Sequence, residues 1–478
     1  MATYVGLDLG TSVVKGAVFD EQGTMLRTAA RPARLELAGD RAEQDADAIH
    51  ALAEEVLREL DARPALVGLT GQGDGLWLLD GAGRPVRRAI SWLDGRAAAL
   101  LAQWSSSGVV EQVFRRTGAA MFPGCAAPLL RWLDDHEPDV LDAAATAGYC
   151  KDMVFQRLTG VRATDVSDAS LPFLDPWTRR YDPAAIEACG LTHRADVLAP
   201  VHDPGAVAEV RGPDVLPAGT PLTAGPYDLA ACALGAGVTE PGDGLLIIGT
   251  TLACEVVSDA VDVSGEPAGL HISLATPGRW LRAMPAMVGT AALDWMLATT
   301  GLRHDQVDGL LGESPVGANG VRMLPYLAPS GERAPFVEPA ARGELTGVSL
   351  ATSRADLVRA TCEAIAFAAR HCLEASGLTG RLTVCGGGSR SPGWMQLFAD
   401  VLGRPVHAAP EEAGARGAVL SAASRFGADL PLDSWSAAIS GYHPDPAAAA
   451  FYAEEFAGYR EWVGRARSTW SARRGLAS

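Results

Sequence analysis

The sequence predicts an α/β protein built from two similar halves. Three observations carry that reading. Near the start, a short apolar run, Tyr4-Val5-Gly6-Leu7-Asp8, leads into Leu9-Gly10-Thr11-Ser12. The same order, apolar strand then glycine and hydroxyls, returns in Gly244-Leu245-Leu246-Ile247-Ile248-Gly249-Thr250-Thr251, and such a recurrence points to a repeated unit. Between them lies a Gly/Pro-rich stretch, Thr239-Glu240-Pro241-Gly242-Asp243-Gly244, the natural boundary. The expected domains are therefore 1–242 and 243–478.

The elements follow in order. Tyr4 to Asp8 reads as a strand, Gly10-Thr11-Ser12 as a turn, and the valine-rich Val13 to Phe19 as a second strand. Asp20-Glu21-Gln22-Gly23 closes a further turn into a third strand. Ala46 to Asp61 carries Ile49, Leu52, Val56 and Leu60 at helical spacing. A strand at Ala65 to Thr70 ends in Gly71-Gln72-Gly73-Asp74-Gly75. Leu76 to Leu79 reads as another, closed by Asp80-Gly81. The stretch from about 97 to 200 is mostly helical in pattern. Pro221-Leu222-Thr223-Ala224 is strand-like and runs into Gly225-Pro226-Tyr227-Asp228 and a small-residue helix. Leu382-Thr383-Val384-Cys385 is a strand before Gly386-Gly387-Gly388-Ser389, with a helix around Trp394 to Leu402. The alanine-rich C-terminal helices, with Trp462 and Trp470, serve packing.

Composition removes several classes. Forty Lys+Arg against 57 Asp+Glu leave a net charge of −17. That balance opposes binding to nucleic acid or to an anionic membrane surface, both of which need a basic face. No uncharged apolar run reaches the ~18 residues of a membrane helix, and the first residues lack a secretory pattern. The eight cysteines contain no C-x-x-C pair and sit among apolar residues. They read as buried free thiols in a reducing compartment, so a cytoplasmic location is expected. Only two of the basic residues are lysines, Lys15 and Lys151. Neither stands in a G-K-[ST] loop, which excludes a P-loop NTPase. No G-x-S-x-G or H-E-x-x-H occurs.

A Gly-Thr-Ser turn presents backbone N–H groups and hydroxyls in one concavity that suits an anion. Asp8 before it could hold Mg²⁺, and Lys15 adds a point charge. Alone, the segment is equally a polar hairpin turn. Gly249-Thr250-Thr251 and Gly386-Gly387-Gly388-Ser389 shift the reading toward a nucleotide cleft between two halves. The third cluster fails the dinucleotide pattern, since Ser391 stands at its last position, and a backbone platform for adenine or ribose is the better use. Asp228 is the candidate general base for a hydroxyl attacking a γ-phosphate; the alternative is an N-cap for its helix.

Several segments together resemble the FGGY carbohydrate kinases. In the N-terminal half these are Asp8-Leu9-Gly10-Thr11-Ser12, Ala42-Glu43-Gln44-Asp45, Trp92-x-Asp94-x-Arg96, Lys151-Asp152 and Ala163 to Ser170. In the C-terminal half they are Gly331-Glu332-Arg333-Ala334-Pro335, Gly343-x-Leu345-x-Gly347-Val348, the Gly386 segment and Glu412-Ala413-Gly414-Ala415. The likeness runs from about residue 3 to 425 in the family's order. It implies two actin-like, ribonuclease-H-like domains closing on ATP, Mg²⁺ and a small sugar or polyol. It places phosphate on Gly10, Thr11 and Ser12 and on Gly249, Thr250 and Thr251, the metal on Asp8 and the base on Asp228. Leu129, where a lysine is usual, and Arg416, where an apolar residue is usual, depart from the pattern.

The loop Gln72-Gly73-Asp74-Gly75 looks most like erythritol kinases, with L-xylulose and xylulose kinases next. Gln72, Asp74 and Asp94 are the polar side chains expected against the substrate's hydroxyls, with Asp228 beside them and Trp77 or Trp92 against its C–H face. A non-catalytic sugar sensor is the competing class. A homodimer is a possible assembly.

Overall fold

The computed structural model describes residues 2–212 and 215–474, with side chains through 470. In chain order the main elements begin with strands β1 (Tyr4–Leu9), β2 (Val13–Phe19) and β3 (Met25–Pro32). Helix α1 (Ala46–Leu60), strand β4 (Leu66–Gly71) and helix α2 (Cys150–Thr159) follow. Strands β5 (Val207–Glu209) and β6 (Pro221–Ala224) lead to helix α3 (Asp228–Gly235). Next come β7 (Gly244–Ile248), β8 (Leu252–Ser258), β9 (Trp280–Ala286), α4 (Thr290–Thr300) and α5 (Arg354–Ala375). The chain closes with β10 (Leu382–Cys385), α6 (Pro392–Leu402), β11 (Val406–Ala408), α7 (Ala413–Phe426), β12 (Ser440–Tyr442) and α8 (Pro446–Arg474).

Local chemistry explains the borders. The Asp45 carboxylate caps α1 by accepting from the Ala48 N–H, and the helix buries Ile49, Val56 and Leu60 on one face. Ser391 caps α6 the same way, through the Trp394 N–H; an oxygen at that position satisfies one of the helix's orphan donors. The stretch from 97 to 200 is helical as its pattern predicts, interrupted by short strands such as Thr146–Gly148. All eight cysteines are free.

The first sheet has the order β5-β6-β4-β1-β2-β3. β1 runs parallel to β4, β4 runs parallel to β6, and the outer neighbours are antiparallel. In the second sheet the strands β12-β11-β10-β7-β8-β9 lie in that order. There β7 is parallel to β10 and β10 to β11, while β8 is antiparallel to β7 and β12 to β11. The two sheets thus repeat one topology, and the turn after β1 corresponds to the turn after β7.

The chain divides into two compact units: 1–239 with 258–281 and 410–437, and 240–257 with 282–409 and 438–478. The single boundary expected at 242/243 marks the change of sheet but not the whole partition, because α7 belongs with the first unit. Its glycines and alanines let it lie directly on β1 and β4. A Cβ on Gly6 would stand 2.1 Å from the Ala415 carbonyl oxygen, and one on Gly68 would stand 2.1 Å from that of Ala418. The first unit's main core gathers Val5, Leu7, Val56, Leu69, Trp77, Met153 and Phe155; the second gathers Leu246, Ile248, Leu293, Ile365, Phe398 and Trp470.

Candidate active site

Three parallel strands of the first unit end side by side, with Leu9 opposite Gly71 and Ala224 opposite Leu69. Their C-terminal ends bring together the Gly10–Ser12 turn, the Gln72–Gly75 loop and Asp228. Carboxyl ends of parallel strands are where open α/β sheets bind ligands.

The first turn is held by a closed circuit of hydrogen bonds. The Trp92 indole N–H donates to Thr11 Oγ1 (2.9 Å), whose own proton goes to Gln72 Oε1 (2.9 Å). Gln72 Nε2 donates to Gln44 Oε1 (2.8 Å), and Gln44 Nε2 returns to the Thr11 carbonyl (3.0 Å). Gln72, expected against substrate, therefore ties the Gln72–Gly75 loop to the Gly10–Ser12 turn. Within the turn the Gly10 N–H donates to the Val13 carbonyl, and Ser12 is the exposed hydroxyl.

The antiparallel register sets Asp8 opposite Lys15. Lys15 Nζ lies 3.6 Å from Asp8 Oδ2 and 3.0 Å from Glu412 Oε2. Burial raises the Asp8 carboxyl, with Lys15 opposing the rise and Glu412 adding to it. Burial acts to lower the Lys15 ammonium, but Asp8 and Glu412 outweigh it and hold it above its ordinary value.

Asp228 is the first residue of α3; the cap position is Tyr227, which makes no side-chain cap bond. Its Oδ1 is buried without a hydrogen-bond partner. Burial pushes this carboxyl well above the usual range, and the charges of Asp8 and Asp74 push it further. A divalent cation held near these carboxyl groups would relieve that repulsion, and their oxygen chemistry suits one. Among the described residues no group of three or more His, Cys, Asp or Glu side chains is arranged to hold one.

The substrate loop turns through left-handed backbone at Asp74 (φ 53°) and Gly75 (φ 69°). A Cβ on Gly75 would meet the Ile90 carbonyl oxygen at 2.4 Å, and one on Gly73 would meet the Tyr227 ring at 2.3 Å. Asp74 is buried. Beneath lies a second charge cluster. Lys151, fully buried, holds Asp152 (2.7 Å), Asp165 (3.0 Å) and Asp168 (2.7 Å). Burial raises the Asp168 carboxyl, with Lys151 opposing and the two other acids adding.

Two residues expected against the substrate make contacts within the protein. Trp77 is 2% exposed inside the first core, where its ring packs with strand and α2 residues; Trp92 is the tryptophan tied to the turn. Asp94 spends both oxygens on the protein. Oδ2 accepts from the Ala42 N–H and Arg96 Nη2, and Oδ1 accepts from the Arg96 N–H and Nε. A carboxylate has about four acceptor sites, so Asp94 is a brace for the Arg96 segment.

Gln44, Glu412, Lys151, Asp165 and Ser167 received no site role from the sequence. The lysine count was the available signal, since both lysines stand at this end of the sheet. The departures also find places. Leu129 is core. Arg416 donates to the carbonyls of Glu411 (2.7 Å), Gly23 (2.6 Å) and Trp435 (3.2 Å).

In the second unit, Gly249–Thr251 and Gly386–Ser389 follow the adjacent parallel strands β7 and β10 and so meet at one sheet end. Gly386 has φ 96°, and a Cβ there would stand 2.6 Å from the Ile248 carbonyl oxygen. The Gly249 and Thr250 carbonyls accept the Thr290 and Ala291 N–H groups at the start of α4. No described helix is long and apolar enough to cross a membrane.

Known proteins are similar to this chain. The N-terminal domain model of the FGGY family of carbohydrate kinases matches residues 3–235, and its C-terminal domain model matches 244–426. Erythritol kinase of Brucella abortus (strain 2308) is 34% identical over 96% of this chain and 95% of its own length. Xylulose kinase of Escherichia coli (strain K12) is 31% identical over 84% and 85%. The crystal structure of xylulose kinase from Rhodospirillum rubrum superposes with a TM-score of 0.88 at 30% identity, covering 98% of this chain and 100% of that one. None of these relatives is described as a non-catalytic regulator.

Proposed function

The chain belongs to the FGGY family of carbohydrate kinases, and from that premise we propose that it transfers the γ-phosphoryl group of ATP to a hydroxyl of erythritol. The observation that carries the mechanism is the unpartnered, buried Asp228 oxygen beside Asp8 and Asp74. The acceptor hydroxyl forms the new O–P bond while the bridging oxygen leaves on ADP, and the hydroxyl proton passes to Asp228. A loose transition state asks the protein mainly for position and charge. Mg²⁺ brought with the nucleotide would be held by Asp8 and would neutralise phosphate charge. Ser12 and the backbone of the first turn face the transferred group. Gly249–Thr251 and Gly386–Ser389 serve the nucleotide.

The four-carbon acceptor is supported by the loop Gln72-Gly73-Asp74-Gly75 and by the Brucella relative's activity. A buried polar partner left unpaired costs about 1–3 kcal/mol, enough to rank polyols. The second reading is a pentulose, favoured by the xylulose kinases among the relatives.

The test is steady-state kinetics on erythritol, glycerol, D-xylulose and L-xylulose. Erythritol should have the highest kcat/KM, and Asp74→Ala should raise KM for it far more than for ATP. A better ketopentose overturns the substrate reading alone. Asp228→Asn should lower kcat by roughly 10²-fold or more; a near-normal kcat removes Asp228 as the base.

A further inference from the structure

The segment that delivers Asp228 is the short link Gly225-Pro226-Tyr227 between β6 and α3. Gly225 has no side chain, and a Cβ there would stand 2.1 Å from the Leu69 carbonyl oxygen. Pro226 has no N–H. Yet the Pro226–Tyr227 peptide is gripped at both of its polar atoms by buried hydroxyls from two other elements. Thr70 Oγ1, at the end of β4, donates to the Pro226 carbonyl (2.7 Å). The Tyr227 N–H donates to Ser167 Oγ (2.8 Å). The next residue is Asp228.

Ser167 is itself oriented. Its hydroxyl proton goes to Asp165 Oδ2 (2.6 Å), and its N–H reaches the same oxygen (2.9 Å). With its one proton committed, its lone pairs can only accept, here from Tyr227. The other oxygen of Asp165 rests on Lys151. One ammonium among three buried carboxylates is a costly way to stabilise a core, since desolvation offsets much of the attraction. One ammonium and three buried carboxyl groups do fix directions, and the direction they fix here is that of the Ser167 hydroxyl.

We propose that Ser167 and Thr70 are positioning residues that clamp the Pro226–Tyr227 peptide and so aim Asp228, with Asp165 and Lys151 as the anchor of the Ser167 arm. The inference rests on the reading of Asp228 as the base. Displacing a reacting group by an ångström from outside the site can cost about 10²-fold in rate, whereas nucleotide affinity does not depend on the aim of the base.

The test uses the full-length enzyme with ATP and the best acceptor of the panel above. Ser167→Ala and Thr70→Val should each lower kcat roughly 10- to 100-fold while leaving KM for ATP within about twofold. Thr70→Ser keeps the hydroxyl and should restore most of the loss. Ser167→Ala in the Asp228→Asn background should produce no further fall, because a group with no proton-accepting role gains nothing from aim. A normal kcat in both clamp variants, beside a crippled Asp228→Asn enzyme, overturns the clamp and spares the base. A loss in Ser167→Ala that multiplies with that of Asp228→Asn also overturns it. Near-normal kcat in Asp228→Asn overturns both readings. If Ser167→Ala does not fold, as judged by its thermal transition, Thr70→Val and Thr70→Ser decide the matter.

Discussion

Glu332 shows how much one carboxyl can carry. Its Oε1 accepts the N–H groups of Met287 (2.7 Å), Arg333 (2.8 Å) and Ala334 (3.3 Å), while Oε2 is buried without a partner. Burial wins over those donors and pushes the carboxyl up to about 7. The folded state therefore holds this proton more tightly than the unfolded chain. The associated stability is complete below pH ~4.5 and is lost as pH rises to ~7, by about 3 kcal/mol at one pKa unit per ~1.4 kcal/mol. Glu332→Gln has no proton to lose. Its stability relative to the parent should climb between pH 4.5 and 7 and then level, as urea titrations at several pH values will show; a constant gap would deny the shift. Site residues were unevenly legible. Asp8, Lys15 and Asp228 stood in strand-end patterns whose chemistry can be read directly. The burial of Trp77 and the pairing of Asp94 with Arg96 were not legible, because type alone does not say whether a tryptophan faces core or cleft, or whether a carboxylate's lone pairs are already taken. Ser167 had no signal of its own, since its role depends on a peptide sixty residues away.

At the scale of elements, α7 is the sharpest case of close packing. Where it crosses α3, a Cβ on Gly235 would lie 1.9 Å from the Ala413 carbonyl oxygen, and one on Gly417 would lie 1.8 Å from that of Ala231. Backbone meets backbone, so even one methyl forces the helix outward. Gly68→Ala should destabilise by ~1–3 kcal/mol, the usual range for overpacking, and lower Tm. Gly81→Ala, with nothing within 4 Å of the added carbon, should leave Tm unchanged; equal behaviour of the two variants would refute the contact. Strands and helices were largely readable, because alternation, caps and glycine turns are local. The docking of α7 was not. Its apolar residues are spread around the helix, and the glycines that receive it, Gly6 and Gly68, belong to strands roughly 350 to 410 residues earlier. Arg416 belongs to the same seam. It bridges three carbonyls and lies 4.8 Å over the Phe19 ring, which a single-residue comparison with relatives records only as an anomaly.

For the whole molecule, the repeat of one sheet topology was legible from two Gly-hydroxyl turns, whereas the partition was not, because the chain leaves and re-enters the first unit. Phe19, Tyr4 and Leu66 bury against Val419, Leu420 and Trp435. A fragment ending at residue 242 therefore lacks the cover of its own sheet. Expressed alone, it should bind a hydrophobic dye and show no cooperative thermal transition; a sharp transition would mean that the sheet can close without α7. The same connectivity has a consequence in time. On the ribosome, Thr239 emerges roughly 200 residues before Ala437, and at ~5–20 residues per second the wait is about 10–40 s. Throughout that interval a nascent sheet face holding Tyr4, Phe19 and Leu66 stands uncovered, a target for chaperones and for neighbouring chains on the same messenger. The order in which this enzyme is synthesised is thus at odds with the order in which its first sheet can be covered.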